Sequence, residues 1–223
     1  MDNLNPCKIC FWFIPLLVAC SGNTPKTTED DRWWTEQERL WILGELNRTT
    51  GELQNEIERL SQAQWYFREE ESRWNIGEIV EHLEMQNQLH YREIAVIANS
   101  PQYLEYRTIT KGQDGYFTKY ATDSIKGQAN WFLQPKDKFL SKEAAEEAFY
   151  TARGKLTEYV EKTKADLRKQ FTFRAPMYEM EISEVKIGEV RDLHQLLLTG
   201  IAHTDRHLIQ IRNIKKHKGF PTN

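Results

Sequence analysis

The chain has 223 residues, 39% of them hydrophobic and 12% aromatic, a composition too rich in large apolar side chains for a disordered polymer and sufficient for one buried core. Thirty lysines and arginines against thirty-three aspartates and glutamates leave a formal charge of -3, which argues against a nucleic-acid binder, since phosphate affinity needs a basic surface. Only seven prolines and eleven glycines interrupt it, so long helices are favoured over a many-turned sandwich or barrel.

The first residues read as an export signal: Lys8, an apolar run from Ile9 to Val18, then small residues and Cys20. The run is about half the length of a membrane-spanning helix and contains Pro15, so a permanent transmembrane anchor is the weaker reading. Leu17-Val18-Ala19-Cys20 resembles a bacterial lipobox, which implies removal of residues 1–19 as a lipoprotein signal peptide and lipidation of Cys20. The alternative is ordinary secretory cleavage near Ala19 with Cys20 incidental. The expected location is the bacterial cell envelope, on its periplasmic or outer face, with the membrane as partner through the Cys20 lipid. Ser21 follows the cysteine and resembles an outer-membrane sorting signal. Cys7 and Cys10 form a C-x-x-C, but inside the segment to be removed, so the mature chain keeps one cysteine and no internal disulfide. Residues 21–32 are polar and aperiodic, and 20–33 are read as a flexible tether.

The remaining chain, 34–218, reads as one helical domain. Thr35 with Glu38 spells a capping box, after which Leu40, Leu43, Leu46, Leu53, Ile57 and Leu60 recur near helical spacing; Thr49-Thr50-Gly51 weakens this first helix without ending it. Asn75 with Glu78 opens a second helix that runs to about Asn99, before Pro101. Trp74 is expected to be a buried packing residue stapled onto Ile79, outside any site. Residues 99–140 show no sustained period and form a long connection that hides short elements or covers a site. Ser141 opens a third helix with Ala145, Phe149, Ala152, Leu156, Tyr159 or Val160, Thr163 and Leu167 on one face to about Gln170. A second connection, 171–188, hints at extended pieces around Met180, Ile182 and Val185. A fourth helix runs from about Glu189 to near Gly219; Arg212, Lys215, Lys216 and Lys218 at its end suit the helix dipole. The expected fold is all-α, a four-helix bundle with long connections after helices two and three.

Among six histidines, His203 and His207 fall on the apolar ladder of the fourth helix, one turn apart and close enough to share a cation. Two such imidazoles alone are read equally well as a metal pair or as satisfied polar residues. His82 in the second helix is a third candidate, and three imidazoles with an open position suit a divalent transition metal. His90 is assigned a structural role, His194 sits one position off the ladder, and His217 lies in the last turn.

The motifs Trp74-Asn75-Ile76-Gly77-Glu78-Ile79-Val80-Glu81-His82-Leu83 and His203-Thr204-Asp205-Arg206-His207-Leu208-Ile209-Gln210-Ile211 resemble those of the DinB-like (DinB/YfiT-type) four-helix metalloprotein superfamily. The resemblance implies His82, His203 and His207 as metal ligands, with nickel, zinc or iron as the metal. It also implies a small-molecule substrate, acted on by a thiol S-transferase or an isomerase using a low-molecular-weight thiol. Export points as well to metal-assisted hydrolysis, because those thiols are cytosolic reagents. A non-catalytic metal-binding or protein-interaction lipoprotein is the competing class, and a homodimer is compatible with either. Glu78, one turn before His82, is a candidate to orient that imidazole, although its capping-box place explains it fully. Trp131, Phe132, Tyr116, Phe117 and Tyr120 of the long connection are read as a satellite core or as walls of a substrate pocket.

Overall fold

In the computed structural model, residues 32–122, 129–173 and 185–222 are described. They form helices α1 (Glu36–Ile57), α2 (Gln62–Trp65), α3 (Ile76–Ile97), α4 (Arg107–Thr110), α5 (Asp114–Thr122), α6 (Lys142–Lys162) and α7 (Leu193–Lys215), with a two-stranded antiparallel pair, β1 (Phe171–Phe173) and β2 (Val190–Asp192), before α7. The protein is all-α in class, this one ribbon aside. Cys20, the signal segment and most of the tether lie outside the described residues, as do Met180 and Ile182. The last two residues assigned to the tether are held: the Trp33 amide donates to Asp166 at 2.6 Å and Arg32 to the Lys164 carbonyl at 3.3 Å.

The four long helices start where a side chain accepts a hydrogen bond from an orphaned N–H. Thr35 with Glu38 and Asn75 with Glu78 are reciprocal boxes, as their spacing predicts, and Ser141 caps α6 through Ala144. Asp192 with Gln195 makes a further box, so the last helix begins at Leu193 rather than near Glu189, whose neighbours Val190–Asp192 pair with β1. The third helix stops at Lys162, not near Gln170. Thr163 turns extended there, and Arg39 of α1 donates to the carbonyls of Val160 (2.6 Å), Glu161 (3.1 Å) and Thr163 (2.9 Å), closing the end of α6. The buried stripe of α1 is Arg39, Ile42, Leu46, Thr49, Leu53 and Ile57; Leu40 is 61% exposed and Leu60 lies beyond the helix. The helix is continuous through Gly51, as expected.

Each long helix packs on two others, in the cyclic order α1, α7, α3, α6. Arg48 meets Asp205 and Lys215 meets Glu56, so α1 and α7 run parallel. Arg39 at the start of α1 meets the end of α6, while Lys142 at the start of α6 reaches Glu58, so that pair is antiparallel. With α3 antiparallel to α7, the helices run up, down, down, up. Two successive parallel helices demand a crossover spanning the bundle's length, which is the physical reason for the long connection after α3. Its α5 packs along α7, where Asp114 is bonded to Gln195.

A small apolar cluster of Phe171, Val185 and Val190 lies at the ribbon, and the core of the helical bundle itself divides in two. One apolar cluster includes Ile42, Leu46, Ile94, Leu156 and Leu196, and the other Leu53, Ile79, Leu83, Phe149 and Leu208. Between them lie polar side chains, Asn87, His90, Arg153 and Thr204, all buried.

Candidate metal centre

The Asn75 box fixes where α3 begins, and Ile79 and Leu83, both fully buried, lock its rotation. His82 therefore points at the seam with α7, where His203 and His207 arrive one turn apart. His203 Nε2 lies 2.9 Å from His82 Nε2 and 2.9 Å from His207 Nε2. One ligand atom from each ring falls within 4.8 Å of the others, a spacing one cation can bridge with bonds of about 2.0–2.1 Å.

Which nitrogen carries a proton decides what this cluster is for. His82 Nδ1 donates to the Leu133 carbonyl at 2.7 Å, and His207 Nδ1 donates to Gln210 Oε1 at 3.0 Å. Both neutral rings therefore present an Nε2 lone pair. His203 can supply one proton for two such contacts, so at least one nitrogen pair faces lone pair to lone pair unless a cation sits between them. Burial holds the set neutral. It lowers the pKa of His82 despite the Leu133 bond, brings His203 to about 3 with help from His82 and His90, and drives His207 well below the usual histidine range with His203 and His82 adding to it. Neutral imidazoles with aimed lone pairs are what a metal ligand set requires.

The crossover supplies the orienting carbonyl. Its 3-10 turn, Trp131–Leu133, lies on α3, and Asp137, in the left-handed region at φ 53, directs the flanking Lys136 and Lys138 amides onto the buried Glu81 carboxylate at 2.7 and 3.3 Å. Lys138 also pairs with Glu84. Glu78 is not the group that orients His82: its oxygens take the Asn75 amide at 2.8 Å and the Arg68 guanidinium at 2.6 Å.

Trp74 keeps its expected role in part, packing against the apolar cluster that includes Ile79, but it does not stay outside the site. It is half-buried, and its ring lies 5.0 Å from that of His82 and stacks on His207 at 6.3 Å and 18°. The indole covers one side of the cluster. The aromatics of the long connection are divided: Trp131 and Phe132 are exposed on the turn beside His82, Phe117 is buried, and Tyr116 packs against Gly188. Nothing is described of the Tyr120 side chain. His194 accepts from Trp34 Nε1 at 3.0 Å, and His90 packs on Gly200, where a Cβ would fall 2.7 Å from its Nδ1. Asp205, between the two α7 histidines, is not merely solvated but takes Arg48 on both oxygens. Neither Leu133 nor Gln210 is among the residues singled out from the sequence. A carbonyl leaves no mark in a sequence, whereas Gln210, three residues after His207 on a helix, was legible in principle.

Fold and cluster define a class: an all-α bundle in which two antiparallel helices bring three neutral imidazoles to one point. The profile of the DinB superfamily matches residues 45–211, which include all three histidines, and the chain belongs to that superfamily. No curated protein and no solved structure matches it.

Proposed function

We propose that the protein is a lipid-anchored envelope metalloprotein that binds one divalent transition metal through His82, His203 and His207 and acts on a small molecule, as a metal-dependent hydrolase or thiol S-transferase. The observation that carries the reading is the fixing of two tautomers, by Leu133 and Gln210, so that their lone pairs meet at His203. Membership of a superfamily known for metal binding supports it. His82, His203 and His207 would hold the metal, which would supply Lewis acidity toward a water or thiol. The chain's own contribution is positional: Leu133 and Gln210 hold two rings, Glu81 holds the chain just beyond Leu133 through the Lys136 and Lys138 amides, and Trp74 lies against one side of the cluster. Hydrolysis is favoured over thiol transfer because the signal directs the chain out of the cytosol.

A second reading, a bundle that binds metal without catalysis, draws on burial: His82 and His207 are 2% and 5% exposed, leaving His203 as the accessible ring. Elemental analysis of the purified protein tests the shared claim. One divalent metal per chain is expected, lost in His203→Ala and His207→Ala and retained in His217→Ala; equal metal content in all of them overturns it. A spectral shift of the cobalt-loaded protein on adding azide or a thiol separates an open site from a closed one. No described helix is long and apolar enough to cross a membrane, and the anchoring rests on Cys20. A clickable fatty acid should label the wild-type chain and not Cys20→Ala.

A further inference from the structure

The polar layer between the two apolar clusters contains a cavity of about 10 Å³, room for one small sphere. Arg153 of α6, Gln86, Asn87 and His90 of α3, and Thr204 of α7 line it, together with leucines from all four long helices. Arg153 is 3% exposed. Nη2 donates to Thr204 Oγ1 at 3.0 Å, Nε has no partner, and among the described residues no carboxylate lies within ion-pair distance. Asp205 is the carboxylate whose charge reaches it, but both its oxygens are taken by Arg48 at 3.0 and 2.9 Å.

A buried cation left unpaired is strongly unfavourable, and Arg153 cannot escape by losing its proton. Burial brings its pKa down only to about 10, so it stays charged at neutral pH. His90 adds no charge, because burial, then Arg191 and Arg153, bring its pKa to about 3. The layer therefore carries one positive charge beside one small hole. A water would satisfy Nε and leave the charge unbalanced, whereas a monatomic anion answers both in a space this small.

We infer that this cavity is a binding site for a single monatomic anion of the halide class, held by Arg153. Gln86 and Asn87 supply the remaining donors. Gln86 Oε1 has no partner as placed, and turning that amide directs its N–H groups to the same side; Asn87 donates one amide hydrogen to Leu83 and keeps the other. The site differs from the histidine cluster in residues and in the sign of its ligand.

The test is thermal unfolding of the chelator-treated protein in sodium chloride or bromide against sodium gluconate at one ionic strength, with chloride-35 NMR line width on the same samples. The midpoint should rise saturably with halide, by about 3–6 °C at ten times the dissociation constant, and the chloride line should broaden. Arg153→Met should lose both effects, and His203→Ala should keep them. If Arg153→Met does not fold, the wild-type line decides: broadening that bromide competes away supports the site, and an unbroadened line overturns it. Equal midpoints in chloride and gluconate, or a halide effect that survives in Arg153→Met, also overturn it.

Discussion

His82 Nδ1 and the Leu133 carbonyl, 2.7 Å apart, join α3 to the crossover at the point where three imidazoles meet. The segment that returns the chain along the bundle thus also sets the tautomer of a candidate metal ligand.

Glu81 holds that segment without touching the histidines, which gives a way to disturb one and not the other. Glu81→Gln removes an acceptor from either the Lys136 or the Lys138 amide. Metal affinity should fall about 10-fold or more, the lower end for loss of an outer-shell partner, while metal stoichiometry stays unchanged. Competition against a chromophoric chelator measures this, and an unchanged affinity would show that the turn does not govern His82.

Trp74 should report on the same site. With its ring against His82 and His207, nickel or cobalt binding should quench part of the tryptophan emission, and Trp74→Phe should remove most of that quenching. Because it is half-buried, Trp74→Ala should cost about 2 kcal/mol, below the range of about 3–5 for fully buried aromatics. Quenching that persists undiminished in Trp74→Phe would assign it to another of the seven tryptophans.

Arg39 closes α6 through three backbone carbonyls, and only a planar fork serves all of them. Arg39→Ala should destabilise the protein by about 2–4 kcal/mol, the loss of charged hydrogen bonds with buried acceptors left behind. Arg39→Lys should recover less than half. Urea unfolding decides it, and full recovery by lysine would mean that charge alone matters.

Stability of the metal-free protein should fall with acid. His90 and His194 have folded pKa values lowered by burial to about 3 and about 4, below the unfolded value, so between pH 6 and 4 the unfolded chain binds more protons. Their stabilising contribution, full above about 6.5, is lost as pH drops toward those values. Burial would raise Asp114, but Arg168 and Gln195 hold it at about 2, so its contribution disappears at lower pH, below the unfolded value of 3.8. Urea midpoints at pH 7, 5 and 4 should decline, less steeply in His90→Gln; a flat profile would contradict the burial of these groups.

Much of this was legible because local chemistry and global packing agree. Thr35 with Glu38 and Asn75 with Glu78 cap helices where their spacing says, and the three histidines of two distant motifs fall at one point. Where a polar residue occupies a core position, pattern reading fails. Arg39 is buried because its guanidinium bonds to the end of α6, so a ladder that starts on Leu40 misses the face in its first turn, although Leu46, Leu53 and Ile57 are buried as read. Trp74 reads as lying outside the site for a related reason: its own helix offers Ile79 as partner, and nothing local shows that His207 of α7 lies alongside.

The up, down, down, up order has a consequence for how the chain comes to be folded. Its first two long helices are diagonal to each other, so α1 has no local hairpin partner. Arg39 finds the Val160 carbonyl 121 residues later, and Arg48 finds Asp205 at a separation of 157. High contact order of this kind slows folding and delays it until α6 and α7 exist. A nascent chain that lacks them has no bundle to form, so the packed core assembles only once the last helix has been made.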